Sequence, residues 1–95
     1  MNRWPVEPGC FVLSKAGRDQ GRLFLVVGEV DDDFVMVANG ALRKMDRPKK
    51  KRRKHLKPTG RRCEAFCSRI AEGGAVQDHE LRIWLSEEEE KLVQV

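Results

Sequence analysis

The sequence has little of what several protein classes require. It contains no tyrosine, two tryptophans and four phenylalanines, so few aromatic side chains are available as exposed stacking platforms. No apolar run is long enough to cross a bilayer, and the first residues lack the apolar core of a signal peptide. The three cysteines are odd in number and scattered, which argues against a disulfide framework. We therefore expect a soluble cytoplasmic protein that does not act at a membrane.

Length and composition indicate one folded unit. A chain of 95 residues can form one small domain and a short appendage, but not two independent cores. Hydrophobic residues make up 40% of it and charged residues 36%, a balance typical of a folded domain that carries an unusually polar segment.

The net charge of +4 is distributed very unevenly along the chain. Residues 1–42 hold four Lys or Arg and six Asp or Glu, and residues 63–95 hold three and eight. Between them, residues 43–62 hold twelve Lys or Arg and a single acidic residue, Asp46. The basic character therefore belongs to one element of the protein and not to its whole surface.

The part of the chain before the basic segment predicts β-strands. Short apolar runs rich in strand-forming residues occupy positions 10–13, 22–30 and 34–38, with polar or acidic loops between them. Gly28, inside the second run, predicts a bulge or a bend in that strand.

Asn39-Gly40 is the strongest short turn signal in the sequence. It predicts a two-residue type I′ hairpin that returns as a strand over residues 41–45, and a short fifth strand is predicted over residues 54–57. Several short antiparallel strands favour a small barrel, because closure removes the exposed sheet edges.

The composition changes after residue 60, where apolar residues recur at helical spacing. A helix is predicted over residues 61–72, ended by Gly73-Gly74, with four residues on one face: Cys63, Phe66, Cys67 and Ile70. A second helix is predicted from Asp78, whose side chain can cap the first turn, with Leu81, Trp84 and Leu85 on one face. Residues 86–95 are either a continuation of that helix or a frayed tail.

The order of strand, loop and hairpin resembles a known family. Residues 15–22 and the strands on either side closely resemble the KOW motif of large-subunit ribosomal proteins and transcription elongation factors. Further stretches, residues 39–44 and 54–56, are similar to KOW ribosomal proteins of archaea and eukaryotes and to their small bacterial relatives. The resemblance covers roughly residues 5–59. It implies a mainly β fold and places the loop before Gly21 against RNA.

The fold that the resemblance implies is a five-stranded SH3-like barrel over residues 5–59. This barrel includes a basic arm over residues 43–57, and residues 60–95 form a helical C-terminal extension. The family resemblance does not extend to the cysteines of that extension.

The loop over residues 15–22 has the chemistry to hold a phosphate backbone. Gly17 and Gly21 can adopt positive φ and let the main chain approach a partner, and basic side chains beside them can reach phosphate oxygens. Asp19 opposes this role, because a carboxylate repels phosphate unless it holds Arg18 or Arg22 in position. The alternative is a turn that the glycines shape, with charges that are only solvated.

The basic run over residues 47–54 is the stronger signal. It cannot pair its charges locally, because no acidic residue lies between Asp46 and Glu64, so solvent or a polyanion must relieve the repulsion. RNA is the natural polyanion. The alternatives are a solvated linker and a fortuitous match to a nuclear import signal.

We therefore predict an RNA-binding protein that contacts the RNA backbone and shape more than the base sequence. The expected partner is ribosomal RNA of the large subunit, bound by a monomer. The predicted RNA-binding residues are Lys15, Gly17, Arg18, Gly21, Arg22, Arg43, Lys44, Lys49, Lys50, Lys51, Arg52, Arg53 and Lys54. The alternative is a protein-interaction module that docks on polymerase or a ribosomal protein, with the basic arm supplying electrostatic steering.

Other chemistry is poorly supported by the sequence. Three phenylalanines lie inside strand runs and are interpreted as core residues: Phe11, Phe24 and Phe34. Metal-ligating residue types are present at Cys63, Cys67, His55 and His79, but their spacing matches no recognised zinc finger, so we predict no metal and no cofactor. No nucleophile stands beside a base in a glycine-shaped pocket, so we predict no enzyme activity.

The acidic run over residues 87–90 has two interpretations. It is either a solvated helix face or a segment that folds back on the basic arm and competes with RNA.

Overall fold

The structure, a computed structural model, describes residues 6–93. It contains five strands: β1 (Cys10–Ser14), β2 (Leu23–Glu29), β3 (Phe34–Ala38), β4 (Lys49–Arg52) and β5 (Leu56–Arg62). They form one antiparallel sheet in the order β4-β3-β2-β1-β5. A 3-10 turn, Arg53–His55, joins β4 to β5, and two helices follow, α1 (Glu64–Ala71) and α2 (Asp78–Val93). The predicted mainly β fold with C-terminal helices is confirmed.

Residue 5 of the predicted barrel and residues 94 and 95 of the predicted extension lie outside the described part of the chain. Neither described helix combines the length and the apolar character that crossing a bilayer requires.

Both faces of the sheet are buried over much of its area. Alternation along each strand sends successive side chains to opposite faces. An inner cluster on one face contains Val12, Phe24, Val26, Val35, Val37 and Leu56. An outer cluster joins the other face to the helices and contains Phe11, Leu23, Leu25, Ala38, Cys63, Phe66, Val76, Leu81 and Leu85. The helices therefore share a core with the strands.

Gly28 occupies the predicted bulge. The pairing of β2 with β3 shifts register between Val26 and Gly28, so one extra residue is accommodated on β2. The shift lets the inner face of β3 continue past the bulge with Val35 fully buried.

The predicted Asn39-Gly40 hairpin is wrong. β3 ends at Ala38, and the chain pairs with it again only at Lys49, after a loop over residues 39–48. The side-chain oxygen of Asn39 accepts hydrogen bonds from the backbone N–H groups of Ala41 and Arg43, each 3.0 Å long, which closes a wider turn.

Contacts with α2 hold this loop in place. The guanidinium of Arg82 donates to the carbonyl oxygen of Gly40 at 2.6 Å, and the backbone N–H of Met45 donates to the Asp78 carboxylate at 2.8 Å. Gly40 has a φ of 80°, a conformation that favours glycine. Tertiary contacts therefore override the local hairpin signal.

Part of the basic segment forms a strand of the sheet, and so it is not an arm beside the sheet. Lys49–Arg52 form β4, which pairs with β3 from Val37 opposite Lys49 to Phe34 opposite Arg52. The fifth strand is also longer than predicted and runs through Pro58 to Arg62. A proline is tolerated there because β5 is the last strand of the sheet and pairs within it only with β1.

Both predicted helices are present, with revised starts and caps. α1 begins at Glu64 instead of residue 61, because the two preceding arginines belong to β5, and it ends before Gly73 at a φ of 76°. α2 begins at Asp78 as predicted and continues to Val93. The predicted capping role of Asp78 is wrong, since its carboxylate binds the 39–48 loop, while Glu80 accepts from the N–H of Gln77.

Candidate nucleic-acid interface

The loop between β1 and β2 is compact and glycine-shaped. Gly17 and Gly21 have φ values of 77° and 86°, as the sequence predicts, and the N–H of Gly21 donates to the Ser14 carbonyl oxygen at 2.8 Å. A side chain built at either glycine would meet no heavy atom within 4 Å, so the loop backbone borders open space. Lys15 and Arg18 are exposed on it.

Asp19 gathers basic side chains from three segments. Its carboxylate is nearly buried and lies 4.0 Å from Arg22 of the same loop, 3.2 Å from Arg43 of the 39–48 loop and 3.7 Å from Lys51 of β4. One negative charge among three positive ones leaves a net positive cluster. The sequence offered Arg18 or Arg22 as a partner of Asp19; the structure pairs Asp19 with Arg22. It adds Arg43 and Lys51, which the sequence did not suggest.

Lys51 and Arg53 are used inside the protein. The Lys51 side chain is only 10% exposed, and its ammonium donates to Ser14 Oγ at 3.0 Å, across from β4 to β1. Arg53 donates to the Glu29 carboxylate at 2.7 Å and to the carbonyl oxygens of Asp31 and Val6. These two predicted RNA contacts therefore stabilise the fold in the described structure.

Lys50 and Arg52 lie over the ring of Phe34. The Lys50 Nζ is 4.6 Å from the ring centroid and the Arg52 Cζ is 4.9 Å from it, both within cation–π range. The interpretation of Phe34 as a core residue is wrong, because it is half-buried and belongs to neither apolar cluster. Alternation with the buried Val35 and Val37 is the sequence signal that could have placed it on the outer face.

Several predicted residues have no acidic partner. Within residues 6–92, no ion pair involves Lys15, Arg18, Lys44, Lys49, Lys50, Arg52 or Lys54. We define the cationic surface as the predicted basic contact residues other than Lys51 and Arg53, whose side chains bind other parts of the protein. Its members are Lys15, Arg18, Arg22, Arg43, Lys44, Lys49, Lys50, Arg52 and Lys54.

A cavity of about 860 Å³ opens beside this surface. Two acidic residues, Asp32 and Asp33, line it with five basic ones: Lys15, Arg52, Arg53, Lys54 and Lys57. Its lining therefore carries an excess of positive charge, and it shares Lys15, Arg52 and Lys54 with the cationic surface.

The acidic run of α2 is mostly exposed, but Glu88 is buried and pairs with Arg61 of β5. This contact is on the sheet side of the helix and does not involve β4. Glu89 lines a cavity with Gly21 and Arg22 of the first loop. Competition of the acidic run with RNA at the basic arm stays a prediction.

The cysteines show no arrangement for metal binding. Cys10 and Cys63 are buried, and burial raises the pKa of both thiols, which disfavours the thiolate. Across the described range, 6–93, no group of three or more Cys, His, Asp or Glu side chains is placed to hold a metal ion.

Comparison with known proteins adds no assignment. No protein-family model matches the sequence, and no curated protein matches it significantly.

Proposed function

We propose that this is a cytoplasmic RNA-binding protein of the KOW class that holds the phosphate backbone of ribosomal RNA on its cationic surface. The observation that carries the proposal is the gathering of basic side chains around Asp19, next to seven members of the cationic surface that form no ion pair within the described part of the chain. Such an excess of one charge attracts a polyanion and releases its counterions.

The proposal includes closure of the sheet into an SH3-like barrel. Two contacts support closure by joining parts of the chain near opposite ends of the sheet. Lys51 of β4 donates to Ser14 of β1, and the N–H of Lys15 donates to the His55 carbonyl oxygen at 2.8 Å. The inner cluster, with Val12 and Leu56 packed against β2 and β3, fits a barrel interior.

A salt series tests the RNA-binding proposal. We would measure the affinity of the whole protein for a fragment of large-subunit ribosomal RNA by fluorescence anisotropy. If about five or six phosphates are neutralised, the logarithm of the affinity falls with the logarithm of the salt concentration at a slope of about −4 for single-stranded RNA.

A matched pair of variants locates the contacts. Replacing Lys49 and Lys54 by Gln should weaken binding roughly tenfold and make the salt slope shallower by about one unit. The control replaces Arg62 and Lys91 by Gln, which removes the same charge outside the cationic surface. Arg62 is exposed and forms its ion pair with the exposed Glu7, so this control should leave the fold and most of the RNA affinity intact.

The outcomes separate RNA binding from the protein-interaction alternative. Equal losses in the two variants would show that net charge alone attracts RNA and would overturn the assigned surface. No RNA binding at low salt, together with a partner that survives ribonuclease, would replace the proposal by a protein-interaction module. Co-sedimentation with the large ribosomal subunit, lost in the Lys49 and Lys54 variant, would support ribosomal RNA as the partner.

A further inference from the structure

A cleft of about 320 Å³ lies over β4, beside the cation–π cluster. Phe34, Lys50 and Arg52 line it, and Ala16 and Gly17 of the first loop face them, with His55 also in the lining. Its volume is at the lower end of the range for small-ligand pockets. It therefore suits one planar group and is too small for a nucleic-acid helix.

Phe34 is placed unusually for a phenylalanine of this protein. Its strand neighbours Val35 and Val37 are fully buried, and Phe24 is fully buried in the inner cluster. Phe34 instead keeps part of its ring at the surface, on the side that the helices leave uncovered. The Lys50 ammonium and the Arg52 guanidinium lie over this half-buried ring, which therefore supports planar and positively charged groups at one place.

We propose that this cleft accepts one unpaired RNA base, stacked on the guanidinium plane of Arg52, which lies over and is supported by the ring of Phe34. Lys49 and Lys50 then contact the phosphates on either side of the base. This inference rests on the proposed function and deepens it, because it adds recognition of a base to recognition of the backbone.

The chemistry of the lining favours a nucleotide over a simple anion. Aromatic rings and guanidinium planes both stack on bases, and every base has a π face, so this contact tolerates different sequences. Gly17 has a φ of 77° and free space where a side chain would be, so the loop backbone can approach the sugar closely. A base inside an A-form duplex is stacked on its neighbours and cannot enter the cleft.

The consequence is a preference for unpaired RNA. The other members of the cationic surface bind phosphates of any RNA, whereas the cleft adds affinity only when a base is free to leave its neighbours. A single stacked base typically contributes about fivefold or more to affinity.

The test compares two RNA probes of equal charge with the full chain. One probe is a short oligoadenylate, and the other is an oligomer of the same length in which the bases are replaced by abasic sites. The native protein should bind the oligoadenylate about fivefold or more tightly than the abasic probe. Phe34→Leu should remove this difference in affinity without changing the salt slope. The separate variant Phe34→Trp should keep the difference.

Each outcome is decisive. Equal binding of both probes by the native protein, with the salt slope retained, would overturn the base site and leave the proposed function standing. A base preference that survives Phe34→Leu would place the stacking elsewhere and would also overturn it. Failure of both probes to bind at low salt would overturn the proposed function itself. Thermal unfolding of Phe34→Leu, followed by circular dichroism, checks that the variant is folded.

Discussion

The basic residues of the helix-covered side and of the β4 side are used in different ways. On the helix-covered side, Arg69 of α1 makes a bidentate contact with Glu80 of α2 at 2.8 and 2.5 Å. Arg61 of β5 pairs with the buried Glu88 of α2. At β4, one buried carboxylate, Asp19, faces three cations, and further basic residues form no ion pair within residues 6–92. The comparison teaches that the placement of carboxylates, and not the number of basic residues, decides which cations are left outside ion pairs.

The apolar residues of the outer face also differ between the two sides, in how far they are buried. Phe11 and Leu25 are buried beneath the helices, whereas Phe34, on the same face of the sheet, is only half-buried. The helix-covered side therefore supplies stability, and the side at β4 keeps its basic and aromatic groups available.

The largest expected effect tests the stabilising side. Phe66 of α1 is 2% exposed in the outer cluster, so Phe66→Ala should lower the free energy of unfolding by about 3–5 kcal/mol. Phe34→Ala should lower the free energy of unfolding clearly less, because Phe34 is only half-buried. Urea unfolding of both variants measures the difference. Equal costs would contradict the division of the outer face into a buried and an available part.

A smaller effect is expected at the Asp19 cluster. Asp19→Asn leaves Lys51, whose side chain is 10% exposed, without its counter-charge, and should lower the free energy of unfolding by about 1–3 kcal/mol. Asp46→Asn, at an exposed carboxylate of the same region, is the matched control and should change it little.

A double-mutant cycle sharpens this test. Lys51→Met removes the buried ammonium, so adding Asp19→Asn to it should cost less than Asp19→Asn alone. Additive losses, measured by the same urea unfolding, would show that Asp19 does not act through Lys51.

The smallest effect concerns the paired side. The pKa of Glu80 is lowered from 4.5 to about 2. The largest cause is the hydrogen bond from Arg69, and the second is the hydrogen bond from the backbone N–H of Gln77. The folded-state pKa is below the unfolded one, so this stabilisation is present above pH 4.5 and is lost as the pH falls towards about 2. Glu80→Gln should therefore unfold at a lower temperature than the native chain near neutral pH, with the difference shrinking in acid. A constant difference across that range would contradict the role of the Arg69 contact.

Local sequence signals predicted the elements that depend on local chemistry. Apolar runs located β1, β2 and β3, and Gly28 marked the bulge, since these features follow from alternation and backbone freedom. Helical spacing located α1 and α2 for the same reason, although the two arginines before α1 gave no sign that they extend β5.

The errors occurred where distant residues decide the structure. Nothing near Asn39-Gly40 shows that the first turn of α2 lies against Gly40, where an added side chain would come within 2.4 Å of the Asp78 carbonyl oxygen. Likewise, a run of lysines has low strand propensity, and only its pairing with β3 makes it a strand.

The candidate site was predicted as a set of residues but not as an arrangement. The thirteen positions could be named from charge and from the resemblance, yet the meeting of Asp19 with Arg43 and Lys51 depends on three segments that are distant in sequence. Lys51 and Arg53 likewise bind Ser14 and Glu29, which are distant in sequence, so charge alone could not show that these two side chains are used inside the protein.

β4 is the end strand of the sheet, and its four residues are all basic. The end strand of a sheet is where a second copy could add a strand of its own and begin aggregation. Two copies that approached in this way would bring Lys49–Arg52 against the same four residues, and the like charges would repel each other. The basic residues of β4, three of which we propose as RNA contacts, therefore also keep copies of the protein apart at this edge, and neutralising them would favour self-association.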